Sequence, residues 1–447
     1  MDIRILKDAL VRAAKEAGIT EYELYYAESA DLSAEALKDE ISNFSSGASA
    51  GISFRCKVDG KMGYASTELL TEEEMTELVS RAAANARNIE NEDEVFIFPG
   101  SPKYGTPNAK FSEPATAAEV RENVLSLQKQ QYGASDMVTD GTKSGAFTGT
   151  TEIYLYNSYG LELSNRVGVS AAYVAPVLKN GEESDNDFDF AVGKTAAEMG
   201  DLAARTVGRV KEKFGAGSVE SGKYNVVFDG ESMRDLLATF FSGFSAKSAQ
   251  MGLSRLAGKE GEKVAADCVT ITDDPMREGY PAQTSFDGEG VAAFRKNVIE
   301  NGVLKTLLYD LTTAKKAGRE STGNGLRGSY TSSVNISPFC FCLEPGNKSE
   351  EQLFSAAGDG ILITELNGLH AGADGVTGDF SLQSAGYRIR GGKKAEYVKG
   401  FTVAGNFYEL LLGITAVGNK LKFGIPASVT AFAAPPVLVP GMSIAGK

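Results

Sequence analysis

The sequence predicts an α+β fold in two domains: an N-terminal domain of helices with an antiparallel β-meander, and a larger, β-dominated C-terminal domain. The chain has 447 residues, which is too long for one ordinary core and favours two domains. Its 50 glycines exceed the average share and indicate many turns and hairpins. Helical periodicity lies mostly in the first half, whereas turn dipeptides between short apolar segments dominate the second half.

The N-terminal domain is predicted to begin with an amphipathic helix at residues 5–17, because Leu6 and Leu10 begin an apolar series at helical spacing. Thr71 and Glu74 form a capping-box signature, which predicts the start of a second helix that ends near residue 89. The other predicted elements are strands at 21–28, 32–44, 51–58 and 61–66, a helix at 117–130, strands at 149–156 and 161–177, and a helix at 195–214.

The glycine-rich segment 215–218 gives the predicted boundary, with an N-terminal domain at residues 1–215 and a C-terminal domain at 216–447. In the second domain, the dipeptides Asn301-Gly302 and Gly391-Gly392 supply the positive φ of tight hairpins, so we expect a barrel-like or closed sheet. Its predicted elements are a strand at 224–228, a helix at 231–244, hairpin segments at 269–272, 298–308, 361–366 and 387–398, and a helix at 407–412.

The charge balance argues against a nucleic-acid partner. The chain has 59 acidic and 45 basic residues, a net charge of −14, and no run of Lys or Arg longer than two. Phosphate binding requires a local basic surface, which this pattern does not indicate. No apolar run is long enough to cross a membrane, and the first residues do not resemble a signal peptide. We therefore expect a cytoplasmic protein with its four cysteines reduced.

The supply of metal ligands is small. His370 is the single histidine, and the four cysteines form no CxxC pair. HExxH and HxH motifs are absent as well, so the sequence predicts neither a metal site nor another cofactor.

Two acidic motifs offer carboxylates for acid–base catalysis or for a hard cation such as Ca²⁺ or Mg²⁺. The first contains Asp273 and Asp274, and the second contains Asp287 and Glu289. Asp before Pro and Asp before Gly are also ordinary turn chemistry, so a purely structural role is the alternative. The sequence does not reveal whether the two motifs meet in the fold.

The glycine-rich run at residues 368–378 resembles a phosphate-binding loop only superficially, because Asp379 follows it in place of Lys and Ser or Thr. Ser381, His370 and Asp379 could be written as a catalytic triad, yet no GxSxG elbow supports one. A second flexible segment at 321–325 has the composition of a loop that approaches a ligand, or of a plain surface loop.

The second half carries a series of short motifs whose order resembles the TldD/PmbA family. Each motif is weak alone, but together they extend over residues 220–447, and the N-terminal layout is compatible with the family. The motifs are VTITDDP at 269–275, FDGEGV at 286–291, IENGVL at 299–304, STGN at 321–324, TGDFS at 377–381 with Gly386 and Ile389, and VAGN at 403–406.

The resemblance implies a role in peptide cleavage. TldD-branch members carry an HExxxH helix and a further Cys ligand near the C-terminus, and they pair with a metal-free PmbA (TldE) subunit to cleave small peptides. Here the corresponding helix at 231–240 has no histidine, and no cysteine lies in the last hundred residues. The chain therefore resembles the PmbA branch, and none of the family's metal-binding or catalytic residues transfers to it. The family's association with DNA gyrase modulation gains no support from the charge balance.

The leading hypothesis is a metal-free subunit that dimerises with a TldD-like metallopeptidase and grips an unfolded peptide by strand addition. His370, Asp379, Ser381 and Asn324 are the predicted peptide-binding residues, since they lie in or beside glycine-rich segments where backbones can approach closely.

Two other hypotheses remain open at this point. One is a stand-alone homodimeric protein that binds peptides or regulates a process without a peptidase partner. The other is a cation-dependent hydrolase that uses Asp273, Asp274, Asp287 or Glu289.

Overall fold

The computed structural model describes residues 3–90, 95–426 and 428–447, and it confirms the predicted α+β class. The elements of the first half are α1 (Ile3–Glu16), β1 (Glu21–Leu37), β2 (Glu40–Val58), β3 (Lys61–Thr67), α2 (Glu72–Asn88), α3 (Ala117–Ala134), β4 (Lys143–Asn157), β5 (Glu162–Ala175), β6 (Val177–Asn180), β7 (Glu183–Asn186), β8 (Asp189–Val192) and α4 (Leu202–Lys213).

Six antiparallel strands form the N-terminal sheet in the order β3-β2-β1-β4-β5-β8. Helices α1 and α2 pack with this sheet around a core that includes Leu10, Phe54 and Leu78. Residues of α3 and α4 join a second core that includes Leu127 and Val174. The buried face of α1 is the apolar stripe that its sequence spacing predicted.

The first hairpin differs from its prediction. In place of separate strands, β1 and β2 extend unbroken for 17 and 19 residues. The chain reverses at Lys38 and Asp39, which have φ values of 55° and 59°. No glycine marks this turn in the sequence, and the serine-rich run at 42–49 has the composition of a loop. Pairing of β1 with β2 on one side and β4 on the other keeps the hairpin extended.

The C-terminal half begins after α4. Its elements are β9 (Gly222–Phe228), α5 (Gly230–Thr239), a 3₁₀ turn (Phe241–Phe244), α6 (Ala246–Gln250), β10 (Ile271–Asp273), β11 (Lys296–Glu300), β12 (Val303–Leu304), α7 (Leu311–Lys316), β13 (Gly325–Leu326), β14 (Asn335–Ile336), β15 (Cys340–Leu343), α8 (Glu350–Ala357), β16 (Gly360–Asn367), α9 (Leu369–Gly372), β17 (Asp379–Arg390), β18 (Lys393–Asn406), α10 (Phe407–Gly413), β19 (Ala416–Val417), β20 (Lys422–Phe423), β21 (Ala431–Ala434) and β22 (Val437–Ala445). The predicted boundary at residue 215 lies between α4 and β9 and stays a prediction.

Five strands close into a barrel in the order β9-β16-β17-β18-β22. Strand β18 pairs with both β17 and β22, and β22 also pairs with β9, which completes the ring. A second sheet has the order β12-β11-β10-β15-β21-β20. Helix α5 contacts β16 of the barrel and β21 of the second sheet. The rings of Phe240 and Phe407 stack with centroids 4.7 Å apart inside this core.

Helix α5 is shorter than predicted, because it ends at Thr239 and a 3₁₀ turn follows. The aromatic residues after it fill the core: Phe341 of β15 packs against Phe241 and Phe244 with centroid distances of 5.3 and 5.1 Å. Among the described helices, none combines the length and the apolar character that crossing a bilayer requires.

Candidate functional site

Three of the predicted peptide-binding residues lie at the rim of the barrel. His370 is on α9, and Asp379 and Ser381 begin β17; all three are exposed. The Asn406 amide donates to Asp379 Oδ1 at 2.8 Å and to the Thr377 carbonyl at 2.8 Å. The hydrogen bond from Asn406 lowers the pKa of Asp379.

These contacts do not assemble a catalytic triad. Within the described residues, no hydrogen bond or ion pair joins His370 to Asp379 or Ser381. The motifs TGDFS and VAGN are joined instead by Asn406, which also caps α10 by accepting the Tyr408 N–H at 3.1 Å. Asn406 thus has a structural role, because it links the two motifs at this rim. The contact of His370, Asp379 and Ser381 with a peptide stays a prediction.

Asn324, the fourth predicted peptide-binding residue, lies in the interior with no exposed surface. Its Nδ2 donates to Asp273 Oδ2 at 2.7 Å, and its Oδ1 accepts from Lys296 Nζ at 3.1 Å. Asp273 Oδ1 accepts the backbone N–H of Phe339 at 2.7 Å. The buried Asn324 side chain thus ties the 321–325 loop to β10 and β11, and its contact with a peptide stays a prediction.

The two acidic motifs do not converge on a shared cation site. Lys296 Nζ lies 3.1 Å from Asp273 Oδ2 and already supplies the positive charge there. Asp287 accepts backbone N–H groups from Glu289, Val291 and Gly325, and so it organises its own loop. Among the described residues, no group of three or more His, Cys, Asp or Glu side chains is arranged to hold a metal ion. The geometry therefore counts against the cation-dependent hydrolase.

A buried ionic cluster joins the two halves of the chain. Glu23 of β1 accepts from Arg55 of β2 at 2.8 Å and from Arg327, 304 residues away in sequence, at 2.5 Å. The charges of Asp287 and Glu289 act on these guanidinium groups as well. Two arginines thus face three carboxyl groups, so the cluster carries a net negative charge unless it takes up a proton.

The electrostatics divide these carboxyl groups. Burial alone would raise the pKa of Glu23, but the charges of Arg55 and Arg327 outweigh it and lower that pKa. Burial raises the pKa of Asp287, and burial together with the neighbouring Asp287 charge raises the pKa of Glu289. A proton taken up by the cluster is therefore expected on the Asp287 and Glu289 pair.

Glu289→Gln is expected to weaken the dependence of stability on pH. A carboxyl whose folded pKa is raised binds protons more tightly in the folded state, so its stabilising effect is complete below about pH 4 and is lost as pH rises through the folded pKa. Between about pH 5 and about pH 8 the wild type should lose this stabilisation and the variant should not, so the free energy of unfolding of the variant should rise relative to that of the wild type. Denaturant unfolding at both pH values measures this difference. Glu77→Gln, at an exposed position of α2, is the control; an equal difference at both pH values would contradict the assignment.

Helix α5 occupies the position of the metal-binding helix in the resemblance, and its side chains do not fit a metal. Its acidic residues Glu231 and Asp235 both pair with Arg234, at 3.4 and 2.7 Å. The Arg234 guanidinium also donates to the Phe423 carbonyl at 3.2 Å, so it is fixed beside the helix. Arg234 thus neutralises these two carboxylates. The helix also has neither His nor Cys, so its side chains do not provide the ligands that zinc requires.

A cavity of about 680 Å³ lies between the N-terminal sheet and the C-terminal half. Its walls come from β1, β4 and β5 on one side, and from the β13–β14 ribbon and residues 428–430 on the other. Among its described lining residues, Asp31 and Arg327 are charged, and the others are apolar or neutral and polar. This size is within the range of ligand sites, and the lining suits a neutral chain.

A second cavity of about 480 Å³ lies beside the N-terminus of α5 and has a different character. Its lining contains many charged residues, some of which pair with one another: Lys213 lies 2.6 Å from Glu365, and Arg209 lies 2.9 Å from Asp187. The 680 Å³ cavity is larger and is lined by far fewer charges, so it is the stronger candidate for an uncharged ligand.

Sequence reasoning did not identify this cavity. Its lining residues, such as Phe147, Gly149, Leu326 and Asn335, are ordinary strand residues that carry no recognisable motif. None of the four predicted peptide-binding residues lines it. The one signal was indirect, since the STGN motif ends immediately before the β13–β14 ribbon that forms one wall.

Comparison with known proteins identifies relatives over most of the chain. Residues 221–446 match the family model described as the PmbA/TldA metallopeptidase C-terminal domain, and residues 22–86 match domain 1 of the same family. Metalloprotease PmbA of Escherichia coli O157:H7 is 25% identical over 358 residues, which are 77% of this chain and 74% of that protein.

Two solved structures share the whole architecture. A Thermotoga maritima protein, whose suggested role is to modulate a DNA gyrase, is 28% identical with a TM-score of 0.88, over 99% of this chain and 100% of that one. TldE from Thermococcus kodakarensis is 25% identical with a TM-score of 0.84, over the same shares of the two chains. The similarity therefore includes both the barrel and the N-terminal sheet.

Proposed function

Because the chain belongs to the TldD/PmbA family, we propose that it is a metal-free subunit of the PmbA/TldE type, which binds an unfolded peptide and positions it for a TldD-like zinc peptidase. The observation that carries the proposal is α5, where Arg234 holds Glu231 and Asp235 and no metal donor set is present. Catalytic zinc needs three protein ligands and an open position, so the metal must come from the partner.

The 680 Å³ cavity is the proposed peptide site. An extended peptide there meets the β13–β14 ribbon, a two-stranded sheet whose strand Asn335–Ile336 pairs with no further strand in the described residues. Strand addition to such an edge gives affinity through backbone hydrogen bonds and little sequence preference. The neutral lining agrees with this mode, because it contains few charges that would select a particular side chain.

A cytoplasmic location fits the cysteine chemistry. Cys340 and Cys342 lie on the same strand as free thiols, and Cys56 and Cys268 are free as well. Free thiols, three of them buried and that of Cys268 exposed, suit a reducing compartment. The partner is expected to be soluble in the same compartment, and the complex is expected to be a dimer.

Reconstitution with a partner tests the proposal. The full chain is co-expressed with the TldD-like protein of the same organism, and cleavage of an unfolded peptide is followed for the pair and for each protein alone. We expect the pair to cleave the peptide, the isolated chain to be inactive, and removal of zinc from the partner to abolish turnover.

A different outcome would favour the alternative function. If the chain forms only homodimers and leaves the turnover of the partner unchanged, the stand-alone binding protein replaces the two-subunit peptidase.

A further inference from the structure

Three side chains of the C-terminal half form a closed polar cluster that the proposed function does not use. Lys296 of β11 places Nζ 3.1 Å from Asn324 Oδ1 and 3.1 Å from Asp273 Oδ2. Asp273 Oδ2 also lies 2.7 Å from Asn324 Nδ2. A primary amine, a carboxamide and a carboxylate therefore meet at one point, with the carboxylate touching both nitrogens.

The three side chains of this cluster are buried. Asp273 and Asn324 have no exposed surface, and Lys296 is 7% exposed. The Lys296 ammonium lies 4.8 Å from the centre of the Phe294 ring and 5.8 Å from that of Phe339. Asp273 Oδ2 is therefore the acceptor placed to take a proton from Nζ when the amine attacks.

We propose that Lys296 and Asn324 react to form an intramolecular isopeptide bond. The Nζ amine attacks the Asn324 carboxamide carbon, a new C–N bond forms, and the C–Nδ2 bond breaks. The net change converts a lysine ammonium and an asparagine amide into a secondary amide and one ammonium ion, so no oxidant or co-reactant is required.

Each partner of the cluster has a defined role in this reaction. Asp273 accepts in turn the two protons that the lysine nitrogen gives up and delivers them to the leaving nitrogen, since its Oδ2 contacts both. The Thr322 hydroxyl lies 2.8 Å from Asn324 Oδ1, where it stabilises the oxygen as negative charge develops. Because the fold holds the lysine amine beside the asparagine carboxamide, the effective concentration of one group at the other is high, which speeds the reaction.

The bond would fix one wall of the cavity. It joins positions 28 residues apart, and it ties β11 to the loop that enters the β13–β14 ribbon. A cross-link of this kind limits the freedom of the unfolded chain, and it holds the ribbon in one place whether or not a peptide is bound.

The intact mass of the folded full-length chain tests the proposal. We expect the mass to be lower than that of the sequence by one ammonia, and proteolysis to release one branched species that contains both Lys296 and Asn324. An unchanged mass after prolonged storage of the folded protein would overturn the proposal.

One rival reaction also releases ammonia and must be separated. Asn324 precedes Gly325, and attack of the Gly325 nitrogen on the Asn324 side chain would give a succinimide. In the structure, the Gly325 N–H donates to Asp287 Oδ2 at 2.9 Å, which holds that nitrogen away from the reaction. A loss of ammonia with Lys296 recovered as a free lysine would identify the succinimide and contradict the isopeptide bond.

Two variants sharpen the result. Lys296→Arg keeps a cation beside Asp273 but lacks a nucleophilic amine, so it should retain its full mass. Asn324→Asp should lose water in place of ammonia and give the same branched species. If Lys296→Arg still loses ammonia, the proposal fails; the wild-type mass decides the question even if a variant does not fold.

Discussion

Replacing Arg327 with alanine is expected to lower the free energy of unfolding by about 3–5 kcal/mol, because it leaves three buried carboxyl groups of the cluster facing Arg55 alone. The Arg327 side chain is 4% exposed and bridges to Glu23, whose side chain is fully buried. It also lies over the ring of Tyr25, with 4.5 Å to the ring centre, so the substitution removes packing as well as charge. Denaturant unfolding of the full chain measures the change.

The matched control is the same substitution in an exposed ion pair. Arg12 of α1 lies 2.8 Å from Glu72, with side chains 60% and 55% exposed. Solvent screens such a pair, so Arg12→Ala should leave the stability almost unchanged. Equal effects of the two substitutions would show that the ionic cluster does not hold the two halves together.

Introducing a phenylalanine at Gly149 is expected to weaken peptide binding by at least about tenfold, which corresponds to about 1.4 kcal/mol. Gly149 lies on β4 and lines the 680 Å³ cavity. A Cβ at this position would have Ala30 O as its nearest neighbour at 3.7 Å, an ordinary contact, so the backbone accepts a side chain. The ring would then occupy the space that we assign to the peptide. Titration of a fluorescent unfolded peptide measures the affinity.

Gly149→Ala is the control for this prediction, because it adds a Cβ but little volume. We expect it to bind peptide as the wild type does, and both variants to unfold at similar denaturant concentrations. If Gly149→Phe folds and binds the peptide with unchanged affinity, the peptide site lies elsewhere, and the rim with His370, Asp379 and Ser381 becomes the surface to examine.

Local signals in the sequence predicted much of the fold. The Thr71 side chain does accept from the Glu74 N–H and starts α2, as the capping-box signature indicated. The Gly391-Gly392 dipeptide forms the turn between β17 and β18, with φ values of 52° and 75°. These features depend on residues close together in the chain, and periodicity and turn chemistry report on that range.

Features that depend on distant residues were not accessible to the same reasoning. The sequence predicted a barrel-like or closed sheet, which the structure confirms, but it did not predict that β18 and β22 are the strands that close it, nor that the ionic cluster joins Glu23 to Arg327 across 304 residues. The cavity has the same origin, since its walls come from both halves of the chain. Asn324 shows the difficulty at a single residue: its glycine-rich neighbours suggested an exposed loop, whereas the lysine and aspartate that bury it come from two other strands.

Peptide turnover by the isolated chain, assayed together with its zinc content, tests the central claim most directly. With one histidine in the sequence and Arg234 already neutralising the carboxylates of α5, we predict zinc far below one equivalent and no cleavage, even after zinc is added. One tightly bound zinc per chain, accompanied by turnover without a partner, would contradict the proposal that the partner supplies the zinc and the catalytic residues.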